Sequence, residues 1–193
     1  MTMDKREIIV EAAYKLFKSN GFFATGVDLI MREAGVSKRT MYKYFPTKNE
    51  LIVAVLAYYR TSYQRHIDDL LSDETQSPRE KIKVIFDDAA AWFGDINFHG
   101  CLAVNAMSEF AGKDKAVEEA CLQFKQWERS VIEQLCISLG ARQPRILAYK
   151  LFVLLEGMSS IALIDKSKAF VNITPVAEQL IDAHTAASCA NMT

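Results

Sequence analysis

Residues 25–51 read TGVDLIMREAGVSKRTMYKYFPTKNEL, which is two short amphipathic segments on either side of Gly35. The first segment is apolar at every third or fourth position, which predicts a helix over residues 27–34. In the second segment Ser37 is a favourable N-cap for a helix over residues 37–45. A short helix, a tight turn and a second short helix form a helix-turn-helix, the arrangement that places its second helix in the major groove of DNA.

The second of these helices carries different residue types on its two sides. Met41 and Phe45 lie one turn apart and are expected to face the neighbouring helices. The outward positions are Lys38, Arg39, Thr40, Tyr42 and Lys43. Cations and hydroxyl groups of this kind read base edges and bind phosphates, and an arginine can bind guanine through two hydrogen bonds. The next helix begins with Thr47 and Lys48, which offer amide donors and a cation to a phosphate.

The rest of the chain predicts helices and no strand of useful length. Glycine (8) and proline (4) are scarce, which favours long uninterrupted helices. Ser77, Pro78 and Glu80 combine a proline at the first helical position with a capping box. The further predicted helices cover residues 4–19, 47–71, 78–93, 101–111, 113–139, 144–164 and 175–187. The expected fold is therefore all-α with about nine helices, divided into a DNA-binding domain (1–46) and a larger helical domain (47–193).

Composition and charge narrow the function classes. The chain has 193 residues, half of them hydrophobic and 24% charged, which is typical of a soluble globular protein. The net charge is −1, yet residues 1–50 hold nine Lys and Arg against six Asp and Glu. The N-terminal part is therefore the candidate for a polyanionic partner. No leader segment is recognised and the four cysteines form no C-x-x-C pair, so we expect a cytoplasmic protein with reduced thiols.

The segment LFVLLEGMSSIALI, residues 151–164, is apolar on all sides of its predicted helix. Such a helix needs cover on two faces. It is short and is interrupted by Glu156, Gly157 and two serines, so we do not interpret it as a membrane span. A second copy of the chain would cover one face, which predicts a homodimer. The alternative is a central core helix within one subunit, and periodicity does not separate the two.

The segment GVSKRTMYKYFPTKNEL, preceded by an amphipathic helix that leads into NGFFATGVDLI, resembles the DNA-binding domain of the TetR family of bacterial transcriptional regulators. The resemblance covers about residues 5–55 and rests on the Gly-Val-Ser, Thr-x-Tyr-x-Tyr-Phe and Lys-x-x-Leu elements. It implies a homodimer whose C-terminal domain binds a small effector. It also implies that double-stranded operator DNA is released or altered on effector binding, with repression as the expected sign.

The resemblance also assigns residues to the DNA interface. It implies that an operator is contacted by Lys38, Arg39, Thr40, Tyr42, Lys43 and Tyr44, and that Lys48 contacts a backbone phosphate. The family usually has Ser or Thr where Gly26 stands, as an N-cap and phosphate donor. In this sequence the contact requires that Thr25, together with Asp28, supplies the cap one residue earlier, and we expect Thr25 to take that role.

The C-terminal part carries candidates for an effector site of the usual apolar kind with a few polar groups. These candidates are Trp92, Phe93, Phe98, Cys101, Asn105, Met107, Phe110 and Trp127. For each aromatic residue taken singly, helical spacing favours a core position over a place in a ligand site. Glu109 and Glu156 lie on otherwise apolar helices, where they would recognise a ligand or face solvent.

Cys101 is a candidate for a second kind of sensing. It follows Gly100 at the predicted start of a helix, where backbone amides favour a thiolate, and His99 lies two residues earlier. The pattern from Gly100 to Glu109 is similar to a segment of several TetR-family regulators, some of which use the cysteine as a sensor. The alternatives are a redox or electrophile sensor and a buried, inert thiol.

No motif of an enzyme or of a metal site is recognised. The sequence lacks the G-x-S-x-G, H-E-x-x-H, P-loop and dinucleotide-binding patterns, and its three histidines are scattered. His99 and Cys101 have no second His/Cys cluster to complete a metal site. We therefore expect a regulator without a cofactor and not an enzyme. The remaining alternative is a helical adaptor that binds no DNA.

Overall fold

The structure of the protein is a computed structural model that describes residues 4–165 and 173–185. Every regular element in these two ranges is an α-helix. The helices are α1 Lys5–Asn20, α2 Val27–Ala34, α3 Lys38–Tyr44, α4 Lys48–Leu70, α5 Pro78–Phe93, α6 Leu102–Phe110, α7 Lys115–Ser138, α8 Pro144–Ile164 and α9 Thr174–Thr185. The predicted all-α architecture is confirmed. The last two residues of the predicted final helix, like Cys189, lie outside the described residues.

The helix boundaries follow the local capping signals. The Ser37 side chain accepts a hydrogen bond from the Thr40 amide at 3.2 Å, which starts α3. Ser77 and Glu80 form the complete predicted capping box at the start of α5. Gly35 ends α2 with φ +61°, a left-handed conformation that glycine adopts without strain. These boundaries were predictable because capping depends on neighbours within one turn.

The chain divides into two compact units. The first unit comprises Met1–Arg65 and Cys101–Lys125, and the second comprises His66–Gly100 and Gln126–Thr193. α6 therefore belongs to the same unit as the helix-turn-helix. The predicted boundary at residue 46 divides the chain by expected function, whereas the two units are defined by their internal contacts. The boundary stays a prediction.

In the first unit α1 packs against α2 and α3. The shared interior contains Ile9, Phe17, Ile30 and Met41, each at most 1% exposed. Burial of one such side chain contributes about 1.5–3 kcal/mol. This small core holds α3 by its inward side and leaves its other side for solvent.

In the second unit α5, α8 and α9 pack against one another. Their common core includes Ile82, Phe86, Leu147, Leu151 and Ile181. α8 is long and apolar enough to cross a membrane by those two criteria alone. Its packing against α5 and α9 instead uses one side of the helix as core, which is the ordinary reason for an apolar helix in a globular protein.

Candidate nucleic-acid interface

α3 is held rigidly before any partner binds. Met41 is 1% exposed and Phe45 is 3% exposed, so the inward side of the helix is fully packed as predicted. The guanidinium group of Arg6 on α1 lies 5.3 Å from the centre of the Phe45 ring, a cation–π contact that adds to this packing. Because the helix is capped at Ser37 and anchored at Phe45, the direction of its outward side chains is fixed.

The outward side of α3 is exposed. Lys38, Arg39 and Lys43 lie at the surface, and Tyr42 is 44% exposed. Within the described part of the chain none of the three cations forms an ion pair. Their charges are therefore available to a polyanion. If these cations neutralised DNA phosphates, the counterions condensed on the DNA would be released.

Two further predicted contacts are only partly accessible. The Thr40 side chain is half-buried, and its hydroxyl lies 3.0 Å from the Ser37 hydroxyl. The Tyr44 ring is also half-buried, and the Lys43 ammonium lies 5.5 Å from its centre. These residues remain at the edge of the exposed face, and their contact with an operator stays a prediction.

Thr25 is placed in the interior, contrary to the prediction of a DNA contact. It is 0% exposed, and its hydroxyl donates to the Gly21 carbonyl at 2.7 Å. The N-cap of α2 is Gly26, which has no side chain to cap the helix. Thr25 therefore neither caps α2 nor reaches a phosphate through its side chain, because its hydroxyl is already hydrogen-bonded within the turn that follows α1.

Lys48 is half-buried at the first position of α4. Its Nζ donates to the Phe22 carbonyl at 2.6 Å, and burial lowers the pKa of its ammonium group despite the nearby Glu109 carboxylate. The bond to Phe22 uses one of its three donors, so the phosphate contact stays a prediction.

Glu109 has a role that neither sequence interpretation anticipated. Its carboxylate accepts hydrogen bonds from the backbone amides of Phe22 (2.9 Å) and Phe23 (2.7 Å). It therefore binds the loop between α1 and α2, and it does not simply face solvent. The available signal was an acidic residue on an otherwise apolar helix, which requires a partner when it is partly buried.

The predicted effector residues fall into two groups, one in each compact unit. In the second unit Trp92, Phe93 and Phe98 form an aromatic cluster with ring centroids 5.0–5.5 Å apart. Phe93 and Phe98 are buried, while Trp92 and Trp127 are half-buried. Phe98 in particular is 1% exposed, so this cluster also serves as core.

The other group lies on or next to α6, in the first unit. Asn105 lies one turn after Cys101, and its backbone amide donates to the Cys101 carbonyl at 2.9 Å. Met107 lines an open groove of about 360 Å³ with residues of α6 and α7. Phe110 stacks on Phe23 with centroids 4.9 Å apart, so its ring packs on the α1–α2 loop. A role in effector binding stays a prediction for both groups.

The three thiols in the described part of the chain are buried. Cys101 is 7% exposed, and its sulfur lies 4.0 Å from the Tyr59 hydroxyl. Burial raises the pKa of Cys121 to about 11 and that of Cys136 to about 12, so both are neutral thiols at physiological pH. This environment favours the inert-thiol interpretation of Cys101. In the described ranges there is also no cluster of three or more metal-ligating residues.

A rigid helix-turn-helix with an exposed basic face is typical of DNA-binding regulators, and the comparisons agree with it. The sequence model described as "Bacterial regulatory proteins, tetR family" matches residues 9–55. The HTH-type transcriptional regulator YxaF of Bacillus subtilis is 26% identical over 180 residues, which are 92% of this chain and 93% of YxaF. The regulator LmrA of the same organism is 28% identical over 145 residues, 74% of this chain and 76% of LmrA.

A solved structure extends the similarity to almost the whole chain. The crystal structure of a tetR-type transcriptional regulator (sav143) from Streptomyces avermitilis has 29% sequence identity to this chain and a TM-score of 0.84. The aligned region covers 94% of this chain and 98% of the sav143 chain. The protein is thus a DNA-binding transcriptional regulator of the helix-turn-helix class. Residues 9–55 match the TetR-family model, and the similarity to the sav143 regulator over almost the whole chain supports the same family.

Proposed function

We propose that the protein is a cytoplasmic repressor that binds a double-stranded DNA operator as a homodimer and is released by a small molecule bound to its C-terminal part. The observation that carries the proposal is the exposed basic face of α3, with Lys38, Arg39, Tyr42 and Lys43 at its surface. A seven-residue helix of this kind fits the major groove with its side chains directed at base edges.

The exposed side of α8 supports the homodimer. Five large side chains on this helix are between 47% and 86% exposed: Ile146, Tyr149, Val153, Ile161 and Ile164. They recur at helical spacing, so they form one apolar stripe along α8. Contiguous exposed apolar surface of this kind marks a protein interface.

Small residues within the stripe favour a second copy of the same helix as the partner. Gly157 and Ser160 are exposed between the larger side chains. They allow two helix backbones to approach closely, and twofold symmetry lets one stripe pack against its own copy. Two α3 helices in such a dimer would read successive major grooves, about 34–36 Å apart.

Release by an effector requires a difference in its affinity for two arrangements of the dimer. A ligand that bound the DNA-competent and the incompetent arrangement equally would shift nothing. In the second unit Trp92 and Trp127 are half-buried and offer aromatic surface of the kind that lines an apolar ligand site.

The test is a mobility-shift assay with two DNA probes: the region upstream of the protein's own coding sequence, and a duplex selected by the protein from a random library. Arg39→Ala removes a candidate contact to a base. We expect it to lower operator affinity by about 1–3 kcal/mol, or roughly ten- to a hundredfold, and to relax the preference at one base position.

The matched control is Arg65→Ala, which removes the same charge from an exposed position on α4. It should leave operator affinity close to that of the wild type. Equal binding by Arg39→Ala and the wild type, or binding that ignores sequence, would contradict the proposed role of α3 and favour a helical adaptor.

A further inference from the structure

The loop between α1 and α2 is bound by a single carboxylate from a distant part of the chain. The backbone amides of Phe22 and Phe23 donate to Oε1 and Oε2 of Glu109, at 2.9 Å and 2.7 Å. Hydrogen bonds to an ionised carboxylate are about twice as strong as those between neutral groups. Glu109 lies in the last turn of α6, so its carboxylate comes from a helix distant in sequence from the loop.

Three more residues contact Phe22 and Phe23. Lys48 at the start of α4 donates to the Phe22 carbonyl at 2.6 Å. Phe110 stacks on the Phe23 ring and meets the Phe22 ring edge-on, with centroids 4.9 Å and 6.0 Å apart. The Lys113 ammonium lies 5.1 Å from the centre of the Phe23 ring. We refer to Glu109, Lys48, Phe110 and Lys113 as the loop clamp.

The loop needs such a partner because of its place in the chain. α1 ends where the Gly21 amide bonds the Phe17 carbonyl, so the amides of Phe22 and Phe23 lie beyond the helical pattern. Phe22 is 0% exposed, and a buried amide without an acceptor would be costly. Glu109 supplies the acceptor that helix geometry does not.

Gly21 fits the same arrangement. Its φ is +85°, and a Cβ added there would lie 3.3 Å from Oε1 of Glu109. Both the backbone conformation and the close carboxylate therefore favour glycine at this position. The turn and the carboxylate fit each other closely.

The loop leads directly into the DNA-reading helices. It ends at Gly26, which caps α2 with backbone alone, so no side-chain cap fixes the start of that helix. α2 ends one tight turn before α3. Without Glu109 the entry of α2 would be held only by packing, by the Lys48 bond and by the Thr25 hydroxyl, and the orientation of α3 would become more variable.

We propose that Glu109 is a positioning residue for operator binding: by holding the amides of Phe22 and Phe23 it keeps the helix-turn-helix in its DNA-competent arrangement without touching DNA. The proposal rests on the operator binding proposed above. If only a fraction of the molecules holds the competent arrangement, the apparent affinity falls by that fraction.

The test compares Glu109→Ala and Glu109→Gln with the wild type in the mobility-shift assay, on the duplex selected from the random library. Alanine removes both acceptors, and glutamine keeps one while preserving volume. We expect operator affinity to fall about tenfold or more for Glu109→Ala and a few-fold for Glu109→Gln. If Glu109→Ala fails to fold, Glu109→Gln still carries the test.

If the loss of the Glu109 negative charge were the only effect, operator affinity would rise. Loss of an acidic group near a DNA-binding face raises affinity for a polyanion. Glu33→Gln is the matched control, because it removes the same charge from an exposed position on α2. It should bind the duplex as tightly as the wild type or slightly more tightly.

Two readouts separate positioning from contact. The slope of log affinity against log salt concentration should be unchanged in the Glu109 variants, because no phosphate contact is lost. The amides of Phe22 and Phe23 should exchange with solvent much faster in Glu109→Ala, as seen by NMR, while amides of α5 and α8 keep their protection.

The outcomes are distinguishable. Weaker binding with an unchanged salt slope and faster amide exchange would support the positioning role. Wild-type affinity in Glu109→Ala, or continued protection of the two amides, would overturn it and leave operator binding intact. Failure of the wild-type protein itself to select or bind any duplex would overturn the operator function.

Discussion

α3 and α8 each leave one side exposed, and the chemistry of the two exposed sides is opposite. α3 has seven residues and exposes two lysines, an arginine and a tyrosine. α8 has 21 residues and exposes isoleucine, valine and tyrosine along its length. An exposed cationic face remains hydrated until it meets a polyanion, whereas an exposed apolar stripe gains free energy from any complementary apolar surface. The two proposed partners differ in the same way, with DNA at α3 and a second subunit at α8.

Salt should separate the two surfaces most strongly. Between 50 and 200 mM salt we expect operator affinity to fall about a thousandfold or more, because each neutralised phosphate releases counterions. The dimer dissociation constant, measured by sedimentation equilibrium over the same range, should change little because apolar burial is not screened. Parallel responses of the two constants would contradict the assignment of different chemistry to α3 and α8.

A charge placed on the α8 stripe should break the dimer. Ile161 is 60% exposed in the subunit, so Ile161→Asp should leave the subunit folded. In the dimer it would bury an unpaired carboxylate, and we expect the dissociation constant to rise about a hundredfold or more. Operator affinity should fall with it, because the two DNA-reading helices would no longer be linked.

The control for this substitution is Leu122→Asp on α7, where the native side chain is 47% exposed. It introduces the same charge outside the α8 stripe. An Ile161→Asp protein that sediments as the wild type does, or equal dissociation of both variants, would count against α8 as the interface.

The smallest expected effect concerns the cap of α3. Ser37→Ala removes the side-chain acceptor for the Thr40 amide, and we expect about 1 kcal/mol of helix stability to be lost. Operator affinity should fall a few-fold, because α3 would fray at the end that carries Lys38 and Arg39. Thermal unfolding and the mobility-shift assay measure the two effects.

Ser77→Ala provides the comparison within the same chain. Ser77 accepts from the Glu80 amide at the start of α5, so its loss should lower stability by a similar amount. It should leave operator affinity unchanged. If both variants weakened DNA binding equally, the effect would be one of overall stability and not of α3 itself.

Much of the fold and part of the candidate site could be predicted from the sequence. The helices, their caps at Ser37 and Ser77, and the inward side of α3 at Met41 and Phe45 all agree with the structure. These features depend on hydrophobic periodicity and on hydrogen bonds within one turn, which are visible in a local stretch of sequence. The exposure of Lys38 and Arg39 follows from the same periodicity.

Other features could not be predicted in this way. Thr25 was a candidate for DNA contact because its residue type suits a helix N-cap, but the structure buries its hydroxyl against the Gly21 carbonyl. Phe110 was grouped with the effector candidates, and the packing of its ring on Phe23 was not predicted. In each case the residue type was compatible with several environments, and only the path of the backbone selected one.

The amino-acid sequence by itself determined the class of this protein, because a helix-turn-helix with an outward basic face is encoded by short-range patterns of apolar, capping and charged residues. Only the tertiary structure decided how that face is held. The amides of Phe22 and Phe23 meet the Glu109 carboxylate across 87 and 86 positions of the chain. No local pattern specifies such a pairing, since the two partners come together only when α6 packs beside the loop.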